Sequence, residues 1–222
     1  MAMRVLTWNL FHGRSVPETR HSLLPDFAAM LAGFEWDVAL LQEVPPWWPV
    51  PLARAAGASV RMALTSRNAL PSLQRRLGEA RPDILKSWGG GSNAILVRRR
   101  AIVEHRIRRV RLLPERRVAH GVRLDDGTWI TNLHGQAHVP PFAQADLDVA
   151  ADATTIWAAG APTILGGDLN LRGEPTAFGY RHLAGHVVDH VLGRGVRALE
   201  HGHTLRHGTL SDHAPLTVAV ER

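Results

Sequence analysis

The stretch PTILGGDLN, residues 162–170, decides the fold of this chain. Residues 163–165 are an apolar run with the length and β-propensity of a buried strand. Gly166-Gly167 then allows a sharp turn of the backbone. Asp168 and Asn170 follow at positions i and i+2, which face the same side of an extended segment. The stretch therefore predicts a strand that ends in a converging carboxylate and carboxamide, although an Asx turn that caps the strand would use the same residues.

Four other polar clusters follow or end apolar runs, and they are spread over the whole chain. They are Thr7-Trp8-Asn9, Leu41-Gln42-Glu43, Asn132-Leu133-His134 and Ser211-Asp212-His213. Carboxylate and carboxamide oxygens suit a hard divalent cation, and imidazoles suit a phosphate ester. Because the clusters span the chain, we expect one site that organises one catalytic domain, residues 1–222.

The predicted elements mix strands with helices. Apolar, β-prone runs predict strands at 4–8, 37–41, 60–64, 93–97, 102–113, 118–124, 128–133, 162–165, 187–192 and 215–220. Helical spacing predicts helices at 18–34, 47–56 and 143–159. Asp125-Asp126-Gly127 is a hairpin turn signal. Adjacent hairpins in the middle argue against a purely parallel sheet, so we predict an α/β (α+β) fold of two packed mixed β-sheets with outer helices.

The composition is that of an ordinary globular domain. The chain has 222 residues, 45% of them hydrophobic and 21% charged, which is enough for one sizeable core. It contains no cysteine, which excludes disulfides and cysteine zinc sites. No apolar run approaches the ~20 residues of a membrane span, and the N-terminus lacks the apolar region of a secretory signal. We therefore expect a cytoplasmic monomer without stable membrane association.

The positive charge is almost entirely arginine. The formal net charge is +6, and Lys86 is the only lysine. Arginine forks match phosphate geometry, which favours a polyanionic partner, but an arginine-biased genome gives the same composition. The arginine-rich stretch 98–117 likewise has two interpretations. It is either a strip that tracks a phosphate backbone or a charged edge strand that blocks aggregation.

Two of the clusters contain residues suited to holding a cation. Glu43 ends an apolar strand, and magnesium often takes only one or two carboxylates while it keeps several waters. Asn9 has the same position on the first strand, where a structural amide that bonds a loop is the alternative.

The last cluster places a carboxylate beside an imidazole. Near a cation, His213 is better used as an acid, a base or a phosphate donor than as a magnesium ligand. Asp189, within a predicted strand, needs a partner, and a carboxylate that holds an imidazole fixes its tautomer. We therefore predict Asp189 as the partner of His213, with His190 or a salt bridge to an arginine as the alternatives.

Together the five clusters resemble the endonuclease/exonuclease/phosphatase family, the metal-dependent superfamily that includes deoxyribonuclease I and the exonuclease III-type repair nucleases. Any one cluster is a weak signal, but five in the family's order are a strong one. The segments 91–96 and 114–117 also look like linking segments of this family. The resemblance implies a four-layered α/β sandwich with the site at one end of two sheets.

The resemblance also implies a role for each site residue. Glu43 looks like the principal ligand of Mg²⁺ or Mn²⁺, with Asn9 beside it and Asp212 near a second metal. Asp168 would orient or deprotonate the attacking water, and Asn170 would hold the scissile phosphate. The remaining implied roles are phosphate contact by His213 supported by Asp189, phosphate binding or leaving-group assistance by His134, and substrate binding by Arg117 and Asn93.

Two positions depart from the repair nucleases of the family. Phe11 stands where they often carry an aspartate, and His134 stands where they tend to have a tyrosine. Both departures point toward the deoxyribonuclease I-like and broader phosphodiesterase branch.

The function predicted from these residues is metal-dependent hydrolysis of phosphodiester bonds in DNA or RNA, with nucleic acid as the partner. The alternative is a phosphatase or phosphodiesterase for a small or lipid phosphoester, for which Trp47-Trp48 would form an apolar lip beside Glu43. Packing of these tryptophans on the core is the simpler interpretation. A non-catalytic binding module is a third reading, which the full set of catalytic residue types disfavours.

Overall fold

The computed structural model describes residues 2–65 and 91–222, with residues 72 and 76 between them. Its first sheet has seven strands in the order β11-β13-β1-β2-β4-β3, and β12 pairs with β13. β1 and β2 are parallel, and the other pairs are antiparallel. The strands are β1 Met3–Asn9, β2 Val38–Val44, β3 Ser59–Leu64, β4 Ser92–Val97, β11 Arg197–Ala198, β12 His203–Thr204 and β13 Leu216–Glu221.

The second sheet has six strands in the order β5-β6-β7-β8-β10-β9. β7 and β8 are parallel, and the remaining neighbours are antiparallel. The predicted hairpin at Asp125-Asp126-Gly127 joins β6 to β7. The strands are β5 Ile102–Arg111, β6 Arg117–Leu124, β7 Trp129–His134, β8 Thr163–Asp168, β9 Arg181–His186 and β10 Asp189–Arg194.

Helices cover the outer face of each sheet. The helices α1 Leu24–Gly33 and α2 Pro49–Ala55 share a buried apolar cluster with the first sheet, whereas α3 Pro140–Ala158 packs on the second. A third cluster, which includes Val5, Leu40 and Val191, lies between the sheets. These layers confirm the predicted α/β sandwich, with two mixed sheets between helices.

The helix predicted at residues 18–34 is shorter than expected. It begins only at Leu24, with Pro25 in its first turn. Proline is favoured there because its missing N–H is one that the helix leaves unpaired, and its fixed φ suits the first turn. The apolar spacing before Leu24 therefore belongs to the loop that enters the helix.

The two parallel strand pairs determine where the polar clusters meet. Asn9 ends β1 beside Gln42 of β2, and His134 ends β7 beside Asp168 of β8. β10 runs antiparallel to β8, so its first residue, Asp189, lies opposite Asp168. The carboxyl ends of both parallel pairs thus lie at one end of the sandwich, the usual place for a ligand site in α/β sheets.

Candidate active site

Hydrogen bonds between the two sheets form the base of this end of the sandwich. Gln42 Nε2 donates to Asn132 Oδ1 at 2.8 Å, and Asn132 Nδ2 donates to the carbonyl oxygens of Leu41 and Ala94 at 2.8 and 3.0 Å. Both side chains are fully buried. Because buried amides are costly unless they are paired, this network fixes the register of one sheet against the other.

Above this network lies a cleft of about 580 Å³. Eight of the ten residues predicted for the site line it: Asn9, Glu43, Arg117, His134, Asp168, Asn170, Asp212 and His213. Asp189 is buried behind His213. The structure does not bring Asn93 to the cleft, because its side chain is only 1% exposed and lies on the same face of β4 as the inter-sheet residues Ile95 and Val97.

Asp168 is the central carboxylate of the cleft. Its Oδ2 accepts a hydrogen bond from Asn9 Nδ2 at 2.9 Å, and its Oδ1 accepts one from the backbone N–H of Asn170 at 3.0 Å. Burial, reinforced by the charge of Asp189, raises the pKa of Asp168 to about 7. A carboxylate with a pKa near the working pH is well matched to proton transfer.

The backbone before Asp168 requires glycine. Gly167 has a φ of +142°, and a Cβ there would lie 1.9 Å from the carbonyl oxygen of Leu133. The close approach lets β7 and β8 end side by side, so that His134 Nε2 lies 3.5 Å from Asp168 Oδ2. Asn170, at φ +53°, donates from Nδ2 to the carbonyl oxygen of Gly135 at 3.1 Å.

The partly buried His213 pairs with the buried Asp189. Nδ1 of His213 lies 2.8 Å from Asp189 Oδ2, and Nε2 points toward Asp168 Oδ2 at 3.9 Å. Burial alone lowers the pKa of His213, but the hydrogen bond and charge of Asp189, with Asp168 and Asp212, outweigh it and raise that pKa to about 9. His213 is therefore a cation at neutral pH, with Nε2 facing the cleft.

His190, the alternative to Asp189, has other partners. Its Nδ1 lies 3.0 Å from His182 Nε2, and its Nε2 lies 2.8 Å from the carbonyl oxygen of Leu171. The structure thus pairs His213 with the carboxylate rather than with the neighbouring imidazole.

His134 and Arg117 form a further part of the wall of the cleft. Burial, and then the positive charge of Arg117, lowers the pKa of His134 well below its usual value, so His134 is neutral at pH 7. Arg117 is only 5% exposed, and its guanidinium pairs with Glu115. This wall offers a neutral imidazole and a fixed cation to an anion in the cleft.

Glu43 lies at a break in β2. Its φ is +49°, and the pairing of β2 with β4 shifts register between Leu41 and Val44. A bulge of this kind re-aims a side chain at the end of a strand. The Glu43 carboxylate enters the cleft, where its Oε1 lies 3.9 Å from His134 Nε2.

The sequence did not indicate His12, which also lines the cleft. Its Nε2 lies 3.1 Å from Glu43 Oε2. His12 is part of a short 3-10 helix, Phe11–Gly13, and has a φ of +53°. No strand pattern precedes it directly, so only the tertiary pairing with Glu43 identifies it. Gln136 and His138 line the cleft too and were likewise not anticipated.

The donor groups of the cleft fit a hydrated divalent cation. Glu43 offers a carboxylate, Asn9 Oδ1 keeps a lone pair after it accepts from the N–H of Phe11, and Asp212 adds an exposed carboxylate at the rim. Within residues 2–65 and 91–222, no three His, Asp or Glu side chains are arranged to enclose a metal ion. Magnesium commonly takes one or two protein carboxylates and fills its remaining positions with water.

The two tryptophans next to Glu43 belong to the core. Trp48 is 4% exposed, and its ring lies 5.6 Å from that of Phe27. Trp47 packs partly buried against the same cluster. The structure therefore supports the interpretation of Trp47 and Trp48 as core packing.

Comparison with known proteins identifies the family of this chain. The profile of the endonuclease/exonuclease/phosphatase family matches residues 6–213, so the chain belongs to that family. Its members are phosphoester hydrolases that generally use divalent metal ions. No curated protein sequence matches significantly. In the described part of the chain, no helix has the length and apolarity that crossing a membrane requires.

Solved structures show the same fold. A family protein from Beutenbergia cavernae is 18% identical with a TM-score of 0.75, and the match covers 99% of this chain and 71% of that one. TDP2 from Caenorhabditis elegans is 16% identical with a TM-score of 0.70, covering 99% and 74%. A conserved protein of unknown function from Enterococcus faecalis is 15% identical with a TM-score of 0.72, covering 99% of both chains.

Proposed function

We propose that this chain is a nuclease that hydrolyses phosphodiester bonds of DNA or RNA with Mg²⁺ or Mn²⁺. The observation that carries the proposal is the convergence, in one cleft, of a carboxylate with a pKa of about 7, Asp168, and an imidazolium with a pKa of about 9, His213. Two groups whose environments separate their pKa values in this way suit the roles of base and charged donor.

In the proposed reaction, water attacks phosphorus in line with the leaving oxygen. Asp168 accepts the proton of that water, and the hydrogen bond from Asn9 holds its carboxylate in place. His213, kept protonated by Asp189, donates from Nε2 to a non-bridging oxygen as negative charge develops there. A divalent cation held by Glu43 and Asn9 would supply positive charge beside the phosphate and the leaving oxygen.

The opposite side of the phosphate has its own donors. Asn170 uses one amide hydrogen on the carbonyl oxygen of Gly135, which leaves the second for the ester. Arg117 supplies a fixed positive charge, and neutral His134 is placed to bind the phosphate or assist the leaving group. Asp212, 45% exposed at the rim, is suited to a second cation.

Arginines on β5 support nucleic acid as the substrate. β5 is an edge strand of the second sheet, as the second interpretation of the arginine stretch predicts, and a position at the edge also leaves its arginines open to a phosphate backbone. Its last residue, Arg111, lies opposite the cleft residue Arg117 on the neighbouring strand β6. Arg108 and Arg109 are exposed and lie opposite Ala119 and Val118 of the same strand. At ~3.4 Å per residue, they lie within about 10 Å of Arg111 along the strand. A nucleic acid with its scissile phosphate in the cleft would extend along this edge.

A substrate panel tests the proposal. Plasmid DNA, single-stranded DNA, RNA, and chromogenic phosphodiester and monoester substrates would each be assayed with Mg²⁺, with Mn²⁺ and with chelator. We expect metal-dependent cleavage of at least one nucleic acid, abolished in Asp168→Asn. Cleavage of the small esters alone would contradict the proposal and favour a small-molecule phosphoesterase.

The binding surface has a matched control. Arg108→Glu with Arg109→Glu should weaken binding of a DNA oligonucleotide and lower the slope of log K against log salt by about two. Arg181→Glu with Arg194→Glu changes the net charge equally, but Arg194 ends β10, about 16 Å from Asp189 along the strand. If both pairs weaken binding alike, β5 is not the nucleic-acid track.

A further inference from the structure

The metal-site carboxylate of Glu43 is held by a residue outside the five clusters. His12 Nε2 lies 3.1 Å from Glu43 Oε2, and both side chains are mostly buried. The two residues have φ values of +53° and +49°. Non-glycine residues rarely adopt such conformations, which cost free energy and persist where the surrounding structure enforces them. Two residues with left-handed backbone conformations thus contact each other through their side chains in the cleft.

The segment that carries His12 is fixed at both ends. At its start, the backbone N–H of Phe11 donates to Asn9 Oδ1 at 2.9 Å. At its end, Gly13 has a φ of +76° and packs so closely on Trp48 that a Cβ would lie 2.3 Å from the indole ring. His12 is therefore positioned by a predicted metal ligand, Asn9, on one side and by the core on the other.

The contact divides the two oxygens of Glu43. Oε2 faces His12, whereas Oε1 lies 3.9 Å from His134 Nε2, beyond hydrogen-bonding distance. The contact with His12 thus holds the carboxylate in one orientation and leaves Oε1 as the oxygen that it does not engage. An Nε2–H tautomer of His12 is sufficient for this hydrogen bond.

We propose that His12 is a positioning residue for the cation, which fixes Glu43 so that Oε1 faces the ion. The proposal rests on the proposed metal-dependent function. Partners that hydrogen-bond a ligating carboxylate typically change metal affinity by ~10–100-fold when they are removed. The role differs from that of Asn9 or Glu43, because His12 would act through Glu43 rather than touch the reacting atoms.

The test measures Mn²⁺ binding without substrate, by electron paramagnetic resonance of the free ion. Wild type, Glu43→Ala, His12→Ala, His12→Gln and His12→Asn would be compared after circular dichroism shows that each is folded. Gln carries an amide nitrogen at about the reach of Nε2, whereas Asn tolerates the left-handed backbone but is too short to reach Glu43. Comparison of His12→Gln with His12→Asn therefore distinguishes the effect of the hydrogen bond to Glu43 from the effect of the backbone conformation.

We expect Mn²⁺ affinity to fall about 10–100-fold in His12→Ala and His12→Asn, and to recover partly in His12→Gln. Nuclease activity of the weakened variants should recover as Mn²⁺ is raised. Wild-type affinity in His12→Ala, or an Asn variant that binds better than the Gln variant, would overturn the proposal. Absence of Glu43-dependent Mn²⁺ binding in wild type would instead overturn the proposed metal-dependent function itself.

Discussion

Two histidines in different regions of the molecule, the partly buried His213 and the fully buried His120, show what distinguishes the cleft from the interior. His213 lies in the cleft against Asp189, and that carboxylate overcomes burial and raises its pKa to about 9. His120 lies fully buried on β6, with its ring 4.9 Å from that of His105. In the part of the chain that the structure describes, neither ring nitrogen of His120 has a hydrogen-bond partner.

The two histidines differ in their partners as well as in burial, because the side chain of His213 is 19% exposed and that of His120 is fully buried. Burial, and then the neighbouring His105, lowers the pKa of His120 to about 3. At neutral pH His213 is therefore charged and His120 is neutral. Burial disfavours the charged form, and an adjacent carboxylate restores it. The positive charge of His213 in the cleft thus depends on the neighbouring carboxylates, chiefly Asp189 and then Asp168.

Removing the base should have the largest effect. Asp168→Asn keeps the shape of the side chain and a link to Asn9 but cannot accept a proton. We expect the turnover number to fall by about 10³–10⁴-fold, measured on the best substrate of the panel at saturating metal. A decrease of less than tenfold in a folded protein would assign the base to another group.

Breaking the charged pair should come next. We expect His213→Ala to lower turnover by ~10²–10³-fold, the usual loss when a donor to the developing charge is removed, and Asp189→Asn to lower it somewhat less. His120→Leu removes a buried histidine from the other region and should leave turnover within about twofold. Retained activity in purified His213→Ala would remove His213 from the mechanism.

The dependence of activity on pH should reflect both groups of the cleft. In the proposed reaction Asp168 acts deprotonated and His213 acts protonated, so activity should decrease about tenfold per unit below pH 7 and again above about pH 9. The assay is kcat/KM from pH 5 to 10. In Asp189→Asn the alkaline limb should move to lower pH, because His213 loses the charge that raises its pKa. An unmoved alkaline limb would argue against the pairing.

The interior histidine should affect stability rather than rate. Its folded pKa of about 3 lies below the unfolded value near 6.5, so the unfolded state binds the extra proton as the pH falls. This contribution to stability is complete above pH 6.5 and decreases below it, by about 2 kcal/mol at pH 5. Urea unfolding should show a loss of stability between pH 7 and pH 5 that is about 2 kcal/mol larger in wild type than in His120→Leu, because other histidines such as His134 titrate in both proteins. Equal pH dependence in the two proteins would show that His120 is not the titrating group.

Sequence patterns were sufficient for the residues that end strands. Asn9, Glu43, His134 and Asp168 each follow an apolar run, and the parallel pairing of β1 with β2 and of β7 with β8 brings those ends together. The same patterns missed the strand β9, of which only Ala184 is fully buried. Its two larger apolar residues, Leu183 and Ala184, are adjacent rather than alternating with polar ones, so the sequence gives no alternation to detect.

What the sequence could not provide depends on tertiary contacts. His12 has no periodic context and is identified only by its distance to Glu43. Asn93 belongs to a segment with family resemblance, yet the alternation of β4 turns its side chain into the space between the sheets. His120 was one of thirteen histidines, and only the packing of the two sheets shows that it is buried. The orientation and burial of the side chain, which residue type does not reveal, decide whether each of these three residues lies in the cleft or in the interior.

The central claim is that side chains from both sheets surround one cation and one phosphate. A crystal structure of the protein soaked with Mn²⁺ and a non-hydrolysable dinucleotide, with anomalous scattering to locate the metal, tests it most directly. We expect Mn²⁺ on the Glu43 carboxylate and a phosphate oxygen within hydrogen-bonding distance of His213 Nε2. Mn²⁺ and phosphate bound at places remote from each other, or away from Glu43 and His213, would contradict the account.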